Sequence, residues 1–498
     1  MYFIGIDVGT SGTKAVLIDE TGAVLRSHTE EYPMQQPKNG WAEQNLSDWW
    51  EATKLSLSAV CEGIDKICGI GLTGQMHGLV MLDENNAVIR PAIIWCDQRT
   101  GKECAEMTET VGADKLFSIT AAPAMSGFTA AKILWVKNNE PENFKKCRHI
   151  LLPKDYIRFM LTGNFATDVS DAGGMQLMDI KNRTWSDEVL DTLEIDKSLL
   201  PKIYESPEVS GFVKSADVPA CLRGVPVAAG AGDNAAAAVG TGIVENGRAF
   251  TTIGTSGVVF AHTDEPLIDP KGRIHTFCCA VPGKWHVMGV TQAAGLSLKW
   301  FRDNFCELET MNAEKQNTDV YVLLDEKAKT SPIGANHLVY LPYLMGERTP
   351  HLDPDARGVF FGLSAIHTKA DLLRAILEGV SFSLYDCVNI LKETGAEVSD
   401  MTICGGGGKS PFWSQMLSNV YGTEIKTVSC SEGPAYGAAI LASVSAGAFD
   451  TVESACKALI RGGKTFVPDE TEHGAYQAVY GLYQSLYPSL KNLYQQLK

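Results

Sequence analysis

The sequence lacks both an excess of positive charge and any long apolar run. Its 498 residues include 43 lysines and arginines against 59 aspartates and glutamates, for a formal net charge of −16. Such an acidic chain is not expected to bind nucleic acid or an anionic membrane as its main activity. No apolar stretch approaches the roughly 20 residues that a membrane-spanning helix needs. An anionic ligand would therefore have to be held by local groups, such as backbone amides, helix N-termini, a lysine or a metal ion.

Closely spaced cysteine pairs are also absent. Thirteen cysteines are scattered along the chain, Cys278 and Cys279 are adjacent, and no C-x-x-C pair occurs. No secretory leader precedes the first strand-like segment, so we expect reduced thiols and a cytoplasmic location. Neither the histidines nor the cysteines show the spacing of zinc ligands.

What the chain does contain is the composition of a globular protein, with 45% hydrophobic and 20% charged residues. A chain of this length is expected to form two large domains. The turn-rich residues 240–247 mark the best boundary, which predicts domains at 1–245 and 246–498. Strand-like segments alternate with helical ones on both sides of it, and the clearest helices are expected at 46–61, 129–138 and 369–391. The pattern predicts an α/β fold with parallel or mixed sheets.

The tetrapeptide Gly-Thr-Ser-Gly occurs twice, at residues 9–12 and 254–257, about half a chain length apart. Each copy lies between two apolar, strand-like segments, which predicts two hairpins. Glycine in such a turn lets a ligand approach the backbone, and successive N–H groups can form an anion-binding nest. The repeat therefore suggests a duplicated architecture whose halves hold one polyphosphate.

Two aspartates are candidates for chemistry. Asp7 ends the strand before the first hairpin, where Mg²⁺ would resolve its repulsion with a bound phosphate, although it could simply cap a turn. Asp233 follows a strand and a glycine-rich turn at the start of a helix. It is either an N-cap or the general base that accepts a proton from an attacking alcohol.

Two glycine-rich segments invite a nucleotide-binding interpretation. Residues 230–235 satisfy G-x-G-x-x-A, but Asp233 would repel a pyrophosphate, and no acidic residue follows about 20 positions later. Residues 405–408 precede Lys409 and resemble a P-loop, yet Ile403 stands where a Walker sequence needs glycine. This second segment is either a nucleotide-binding loop or a flexible turn.

Residues 74–78 place polar side chains between two glycines. Gln75 and His77 could hydrogen-bond sugar hydroxyls while Met76 packs against the carbon skeleton, or His77 could be purely structural. Trp41, its neighbours to residue 44, and residues 95–99 have a composition that suits a polyol, or they belong to the core.

Together these segments resemble the FGGY family of carbohydrate kinases. The resemblance runs from residues 4–10 through 127–135, 152–156, 232–235, 254–257, 341–350 and 405–407 to 433–439. It implies a two-domain actin/hexokinase-like ATPase (ribonuclease H-like) fold with an active-site cleft between the domains. Residues 41–44, 74–78 and 232–236 are similar to the branch that phosphorylates D-xylulose, whereas the glycerol-kinase branch carries Arg-Glu in place of Met76-His77.

The resemblance implies that ATP and Mg²⁺ are used and that the terminal hydroxyl of a ketopentose, best D-xylulose, is phosphorylated. A kinase for ribulose, another pentulose or a polyol is the alternative within this class. A nucleotide-gated chaperone-like protein and an NAD-dependent dehydrogenase are the alternatives outside it. The expected partners are a small sugar and ATP, with no nucleic acid or membrane, and a homodimer is the candidate assembly.

The candidate site residues follow from these assignments. Asp233 is the catalytic base and Asp7 the metal ligand. The substrate-binding residues are Gln75, Met76, His77, Asp233 and Asn234. The nucleotide-binding residues are Gly9, Thr10, Ser11, Thr13, Lys14, Gly254, Thr255, Ser256, Gly405, Gly406 and Gly407.

Overall fold

The computed structural model describes residues 1–430 and 432–497 and shows two lobes, each built on a mixed sheet. The N-terminal sheet has the strand order β13-β14-β5-β1-β2-β3, and β15 also pairs with β5. The C-terminal sheet has the order β18-β19-β17-β16-β22-β23-β24. Among the described residues, every helix is either too short or too polar to cross a bilayer.

The elements of the first half alternate as the sequence predicts. The strands are β1 Tyr2–Val8, β2 Gly12–Asp19, β3 Val24–Glu31, β4 Glu43–Gln44, β5 Gly69–Gly74, β6 Val80–Leu82, β7 Ala92–Ile93, β8 His149–Leu151, β9 Ala166–Asp168, β10 Met178–Asp179, β11 Thr184–Trp185, β12 Lys202–Tyr204, β13 Val209–Phe212, β14 Pro226–Ala228 and β15 Ala231–Gly232. The helices are α1 Leu46–Cys61, α2 Gly101–Val111, α3 Ala113–Thr120, α4 Thr129–Asn139, α5 Pro141–Lys146, α6 Pro153–Thr162, α7 Val169–Gly173, α8 Asp187–Thr192 and α9 Asp233–Thr241.

The second half continues the alternation with longer helices. Its strands are β16 Gly247–Ile253, β17 Gly257–Thr263, β18 His275–Cys278, β19 Trp285–Thr291, β20 Val339–Leu341, β21 Val359–Phe361, β22 Val398–Cys404, β23 Ile425–Val428 and β24 Gly462–Phe466. Its helices are α10 Gly295–Phe305, α11 Glu307–Gln316, α12 Val320–Ala328, α13 Lys369–Glu393, α14 Pro411–Tyr421, α15 Gly433–Ser445, α16 Val452–Leu459 and α17 Glu470–Tyr494.

The two sheets repeat one topology. In the first, β1, β2 and β3 are antiparallel, β5 runs parallel to β1, β14 runs parallel to β5, and β13 closes the edge antiparallel. In the second, β16, β17 and β19 take the antiparallel places, β22 and β23 the parallel ones, and β24 the edge. Residues 9–12 and 254–257 therefore form equivalent hairpins, which confirms the duplication predicted from the repeated tetrapeptide.

Helices cover both faces of the N-terminal sheet, so its central strands are apolar on both sides. Phe3, Ile4, Ile6 and Val8 of β1 are all fully buried. Helix α1 packs on one face, where Trp49 joins the core under β1.

Helix α15 comes from the second half of the chain but packs on β1, β5 and α9 of the N-terminal lobe. Glycine makes this close approach feasible, because a Cβ atom on Gly5 would lie 1.8 Å from the Ala435 carbonyl oxygen. A Cβ atom on Gly71 would lie 1.9 Å from the Ala438 carbonyl oxygen. Helix α16 shares this apolar cluster. The N-terminal lobe thus contains two helices from the C-terminal half of the sequence.

Candidate active site

The first hairpin turns its carbonyl groups back into the N-terminal lobe. The Gly9 carbonyl oxygen accepts hydrogen bonds from the Tyr32 hydroxyl (2.6 Å) and Gln75 Nε2 (3.2 Å), and the Thr10 carbonyl oxygen accepts one from Gln44 Nε2 (2.7 Å). Within the described chain, the backbone N–H groups of Thr10 and Ser11 have no acceptor. Free N–H groups backed by fixed carbonyls are what an anion nest requires.

Two residues predicted to contact the nucleotide are instead held by protein groups. Thr13 is fully buried in β2, and its hydroxyl donates to Tyr32 Oη at 3.4 Å. Lys14 Nζ lies 3.1 Å from Glu432 Oε2, which also accepts a hydrogen bond from Ser27. A direct nucleotide contact is therefore wrong for Thr13, because its side chain points into the core. Lys14 is part of an ion pair that joins β2 to the segment before α15.

The second hairpin and the glycine-rich loop, distant in sequence, line one cavity of about 570 Å³. Four of the residues predicted to bind the nucleotide, Gly254, Thr255, Gly406 and Gly407, are among its lining residues. Gly407 has to be glycine here, since a Cβ atom on it would lie 2.5 Å from Ile253 Cγ2. Gly405 (φ +78°) and Ser256 lie beside the cavity, and the Ser256 carbonyl oxygen accepts a bond from Gly254 N at 3.0 Å.

The rest of the cavity wall was missed by the sequence reasoning. This part of the wall is formed by α10, α12 and α14 and by the residues just before α14. It includes Leu296, Tyr321, Lys409, Phe412 and Trp413. Along the sequence these residues are separated by up to about half the length of the C-terminal lobe, and they share no local pattern. An apolar wall beside two glycine turns suits an aromatic base whose phosphates reach the hairpins.

Asp7 and Asp233 are brought close enough to interact. The pKa of Asp7 is raised to about 7. Burial is the largest cause, the negative charge of Asp233 adds to it, and Lys14 opposes the shift. Burial likewise raises the pKa of Asp233 to about 6, against hydrogen bonds from Asn234 that lower it. Both side chains keep partial solvent exposure. Two interacting carboxylates with raised pKa values are typical of functional sites.

The Asp233 carboxylate has one free oxygen. Oδ1 accepts hydrogen bonds from Asn234 N (2.6 Å) and Asn234 Nδ2 (2.9 Å), while Oδ2 has no partner in the described chain. The N-cap of α9 is Gly232, so the N-cap alternative for Asp233 is wrong. Asn234 acts here on Asp233 itself, orienting its carboxylate.

His77 is fixed as a neutral hydrogen-bond acceptor. Its Nδ1 lies 2.8 Å from the Gly174 carbonyl oxygen, which can only accept, so Nδ1 carries the proton and Nε2 keeps a lone pair. The ring stacks on Phe128 with centroids 4.0 Å apart, and burial lowers the pKa of His77 to about 3. Met76 is buried beside His77, and a Cβ atom added to Gly232 would lie 2.9 Å from the Met76 side chain. Met76 and His77 therefore lie in line next to the Asp233 turn.

Lys132 supports this segment and was not singled out from the sequence. It is fully buried in α4, and its ammonium group donates to the carbonyl oxygens of His77 and Gly127, both at 2.7 Å. Burial lowers the pKa of Lys132 to about 7. Nothing in the sequence distinguishes this lysine from one on the surface.

Gln75 lies beneath the first hairpin. It is 3% exposed, and its Nε2 donates to the Gly9 carbonyl oxygen and to Gln44 Oε1. Gln44 Oε1 also accepts a bond from Trp49 Nε1. These contacts make Gln75 a support of the hairpin through its Nε2, while its Oε1 has no partner among the described residues.

The Trp41 segment belongs to the core. Trp41 stacks on the Arg99 guanidinium (3.7 Å to the ring centroid) and meets Trp135 edge-on, while Glu43 pairs with Arg90 and Arg99. Trp95 differs, because it is 47% exposed and donates to Thr10 Oγ1 at 2.9 Å.

A buried charge cluster underlies the turn that carries Asp233. Lys154 Nζ lies 2.8 Å from Asp155 and 2.7 Å from Asp168, and Arg158 donates to the Ala229 carbonyl oxygen. Ser170 Oγ connects the cluster to the turn, donating to Asp168 Oδ1 at 2.5 Å and accepting from Gly232 N at 3.0 Å. The turn that carries Asp233 is thus connected to a fully buried network.

The donor set fits a magnesium ion only in part. Asp7 has no hydrogen-bond partner in the described chain, and its raised pKa shows that a nearby cation would be favourable. The described residues contain no group of three or more acidic, histidine or cysteine side chains that could hold a metal ion by themselves. Mg²⁺ often uses one or two carboxylates together with waters and substrate phosphates, which this arrangement can supply.

Known proteins match nearly the whole chain. Residues 2–240 match the model of the N-terminal domain, and residues 249–446 that of the C-terminal domain, of the FGGY family of carbohydrate kinases. The xylulose kinase of Lactococcus lactis is 40% identical over 96% of this chain and 95% of its own. That of Bacillus subtilis is 39% identical with the same coverage. A crystal structure of a "xyloylose kinase" from Brucella ovis superposes with a TM-score of 0.90 at 35% identity, covering 99% of this chain and 100% of its own.

Proposed function

The chain belongs to the FGGY family of carbohydrate kinases, and from this premise we propose that it transfers the γ-phosphoryl group of ATP to the terminal hydroxyl of D-xylulose. The observation that carries the proposal is the similarity to xylulose kinases along almost the full length of the chain. Family membership also makes the dehydrogenase alternative wrong, since residues 230–235 lie within the kinase N-terminal domain.

In this proposal Asp233 is the general base. Its free Oδ2 accepts the proton of the attacking hydroxyl, while the two hydrogen bonds from Asn234 hold Oδ1 in place. A pKa of about 6 keeps the carboxylate largely ionised at neutral pH and close to the operating pH, which favours general base catalysis. The remaining catalytic effect comes from positioning and charge stabilisation, as in other phosphoryl transfers.

ATP would lie with its base in the cavity of the C-terminal lobe and its phosphates toward the two hairpins. Gly254, Thr255, Gly406 and Gly407 line that cavity, and the free N–H groups of the first hairpin are available to the phosphates. Asp7 would hold Mg²⁺ together with phosphate oxygens and water, and the ion would supply neutralisation of the phosphate charge.

The sugar would lie against Met76 and His77. Nε2 of His77 accepts a hydrogen bond from a sugar hydroxyl, because the Gly174 carbonyl oxygen fixes the proton on Nδ1. Met76 packs against the carbon chain next to Asp233.

The test of the substrate is ADP release measured with a panel of ketoses and polyols, with the product identified by mass spectrometry. We expect the highest kcat/KM for D-xylulose and a product phosphorylated at O5. Higher kcat/KM for ribulose, glycerol or xylitol would contradict the assignment, and sugar-independent ATP turnover would favour the chaperone-like alternative.

We further propose that the protein works as a cytoplasmic homodimer. The free state of all thirteen cysteines is consistent with a reducing compartment. Light scattering coupled to size-exclusion chromatography tests the assembly, and the mass of one chain, 53.9 kDa, would contradict it.

A further inference from the structure

Arg348 carries a half-buried guanidinium group that has no hydrogen-bond or ion-pair partner among the described residues. Every other arginine in the described chain except the exposed Arg223 donates its side chain to a protein acceptor. Moving a charged group out of water without giving it a partner costs free energy. A site that keeps such a group is expected to bind a ligand with oxygen acceptors.

Among the described residues, the neighbouring Glu347 carboxylate forms no ion pair with the Arg348 guanidinium, although its charge favours the charged form of that group. Glu347 is 3% exposed, its Oε2 accepts from Thr291 Oγ1 at 2.6 Å, and its Oε1 accepts from Gln292 N at 2.9 Å. Oε1 also accepts from the backbone N–H of Arg348 at 2.7 Å. Both carboxylate oxygens are therefore occupied, and the guanidinium group stays available.

Contacts from the C-terminal lobe place Arg348 near the sugar-binding segment. The next residue, Thr349, binds the carbonyl oxygens of Val290 and Arg273, which flank the paired residues His275 and Met288 of β18 and β19. The His275 ring lies 6.1 Å from Phe128 of the N-terminal lobe.

Phe128 in turn carries the stacked ring of His77. Because Met76 lies next to Gly232, the order along the site is Asp233, Met76, His77 and then Arg348.

The electrostatics agree with this order. Burial is the main cause of the low pKa values of His77 and His275, and the charge of Arg348 adds to both. Together with the contacts from Gly232 through Met76, His77 and Phe128 to His275, this places Arg348 at the end of the site away from Asp233.

We propose that Arg348 of the C-terminal lobe binds the end of the ketose opposite the transferred phosphoryl group, namely the C1 hydroxyl and C2 carbonyl oxygens. The inference rests on the proposed function, since Asp233 has to face O5 for this end to face Arg348. The planar guanidinium fork presents paired N–H donors that match two neighbouring oxygens. Arg348 is thus a specificity-determining residue that also recruits the second lobe to the sugar.

The test is Arg348→Met, which keeps the apolar stem and removes the donors. We expect the KM for D-xylulose to rise about 10- to 100-fold, the usual cost of losing a charged hydrogen bond. The KM for ATP should stay near the wild-type value, and Arg348→Lys should restore part of the loss. Arg223→Met, the matched change at an exposed arginine without a partner, should have no effect.

A second substrate separates contact from structural support. With 1-deoxy-D-xylulose, which lacks the C1 hydroxyl, the rise in KM caused by Arg348→Met should be several-fold smaller than with D-xylulose. A fall in kcat with an unchanged KM for D-xylulose would overturn the proposal and assign Arg348 to the phosphoryl group, and equal penalties with both sugars would also overturn it.

Two controls keep the result interpretable. Thermal unfolding midpoints should match the wild type, and if the Met variant unfolds, Arg348→Gln and Arg348→Lys are compared instead. If the wild-type protein turns over no ketose, the proposed function fails separately. Calorimetric binding of D-xylulose to the wild-type and Arg348→Met proteins then decides the role of Arg348, with equal affinities overturning it.

Discussion

At the scale of single residues, the site depends on two carboxylates with different surroundings. Asp233 is oriented by Asn234 and keeps one free oxygen, whereas the Asp7 carboxylate accepts no hydrogen bond in the described chain and has the higher pKa, about 7. The first arrangement suits a base and the second suits a cation ligand. Their environments, rather than their residue type, separate the two roles.

Replacing the base should abolish turnover while leaving binding intact. Asp233→Asn keeps the size of the side chain but removes the proton acceptor, so we expect kcat to fall about 10²- to 10⁴-fold. Steady-state kinetics and calorimetric binding of each substrate measure the two effects. In the wild-type protein, kcat/KM for the sugar should fall as the pH drops below about 6, because Asp233 then becomes protonated. Near-wild-type turnover by a variant that binds both substrates would contradict the assignment.

Removing Asp7, the proposed metal ligand, should make the protein inactive but more stable at high pH. The folded-state pKa of Asp7, about 7, is above the ordinary value of 3.8, so the native state loses stability as the pH rises through this range. Each pKa unit is worth about 1.4 kcal/mol, which partial solvent exposure reduces to about 1–2 kcal/mol in total.

We therefore expect Asp7→Asn to unfold at a higher temperature than the wild type at pH 8, and at nearly the same temperature at pH 4. Thermal scans without ATP or metal measure this. Asp19→Asn is the control, since hydrogen bonds from Thr21 lower the pKa of Asp19 and its loss should not stabilise the protein. A lower midpoint for Asp7→Asn at pH 8 would refute the electrostatic argument.

At the scale of elements, short connections position the side chains that we propose to bind the sugar. The carbonyl oxygen of Gly174, the residue after α7, accepts a hydrogen bond from His77 Nδ1, and the glycine-rich turn before α9 gives room to Met76. His77 itself has a positive φ of 65°, which points its ring back toward Gly174. The helices and strands hold the ends of these turns in place, and the turns position the side chains of Met76 and His77.

A methyl group at Gly174 tests this arrangement. The backbone at Gly174 (φ −72°, ψ −7°) accepts alanine, but the added Cβ atom would lie 2.6 Å from His77 Cε1 and Nδ1. Gly174→Ala should displace the imidazole ring and raise the KM for the sugar about tenfold or more, with little change in the KM for ATP. Gly101→Ala, where a Cβ atom meets open space, is the control. An unchanged sugar KM would show that His77 does not bind the substrate.

At the scale of the whole molecule, the two reactants are assigned to different lobes. Asp233 and His77 belong to the N-terminal lobe, and the 570 Å³ cavity belongs to the C-terminal lobe. The chain passes between the lobes after α9, between β23 and α15, and between α16 and β24. Because so few connections join the lobes, the lobes can rotate relative to each other.

We therefore expect the lobes to close when both reactants are bound, which would also keep water from the phosphate. Small-angle X-ray scattering of Asp233→Asn with D-xylulose and ATP should give a smaller radius of gyration than the protein alone, because this variant binds without turnover. Either ligand singly should produce a smaller change. No compaction with both ligands present would rule out closure.

Much of the fold could be predicted because its signals are local. The helix expected at 46–61 is α1 Leu46–Cys61, and that expected at 369–391 is α13 Lys369–Glu393. Both hairpins follow from glycine turns between apolar runs. The site was predicted less completely, since Thr13, Lys14 and Gln75 have protein partners that no local pattern reveals. Arg348 and Lys132 have the same residue types as surface cations, and only their burial and contacts distinguish them.

The sequence by itself determined the family, the alternation of strands and helices, and the residue types at the ends of β1 and β16. Only the tertiary structure decided which of these residues act together. Asp7 and Asp233 are more than 200 positions apart, yet the fold buries both carboxyl groups and so raises both pKa values, and it brings the charge of Asp233 close enough to raise the pKa of Asp7 further. Electrostatic and hydrogen-bond energies depend on distance and on the exclusion of water, and neither is set by position along the chain.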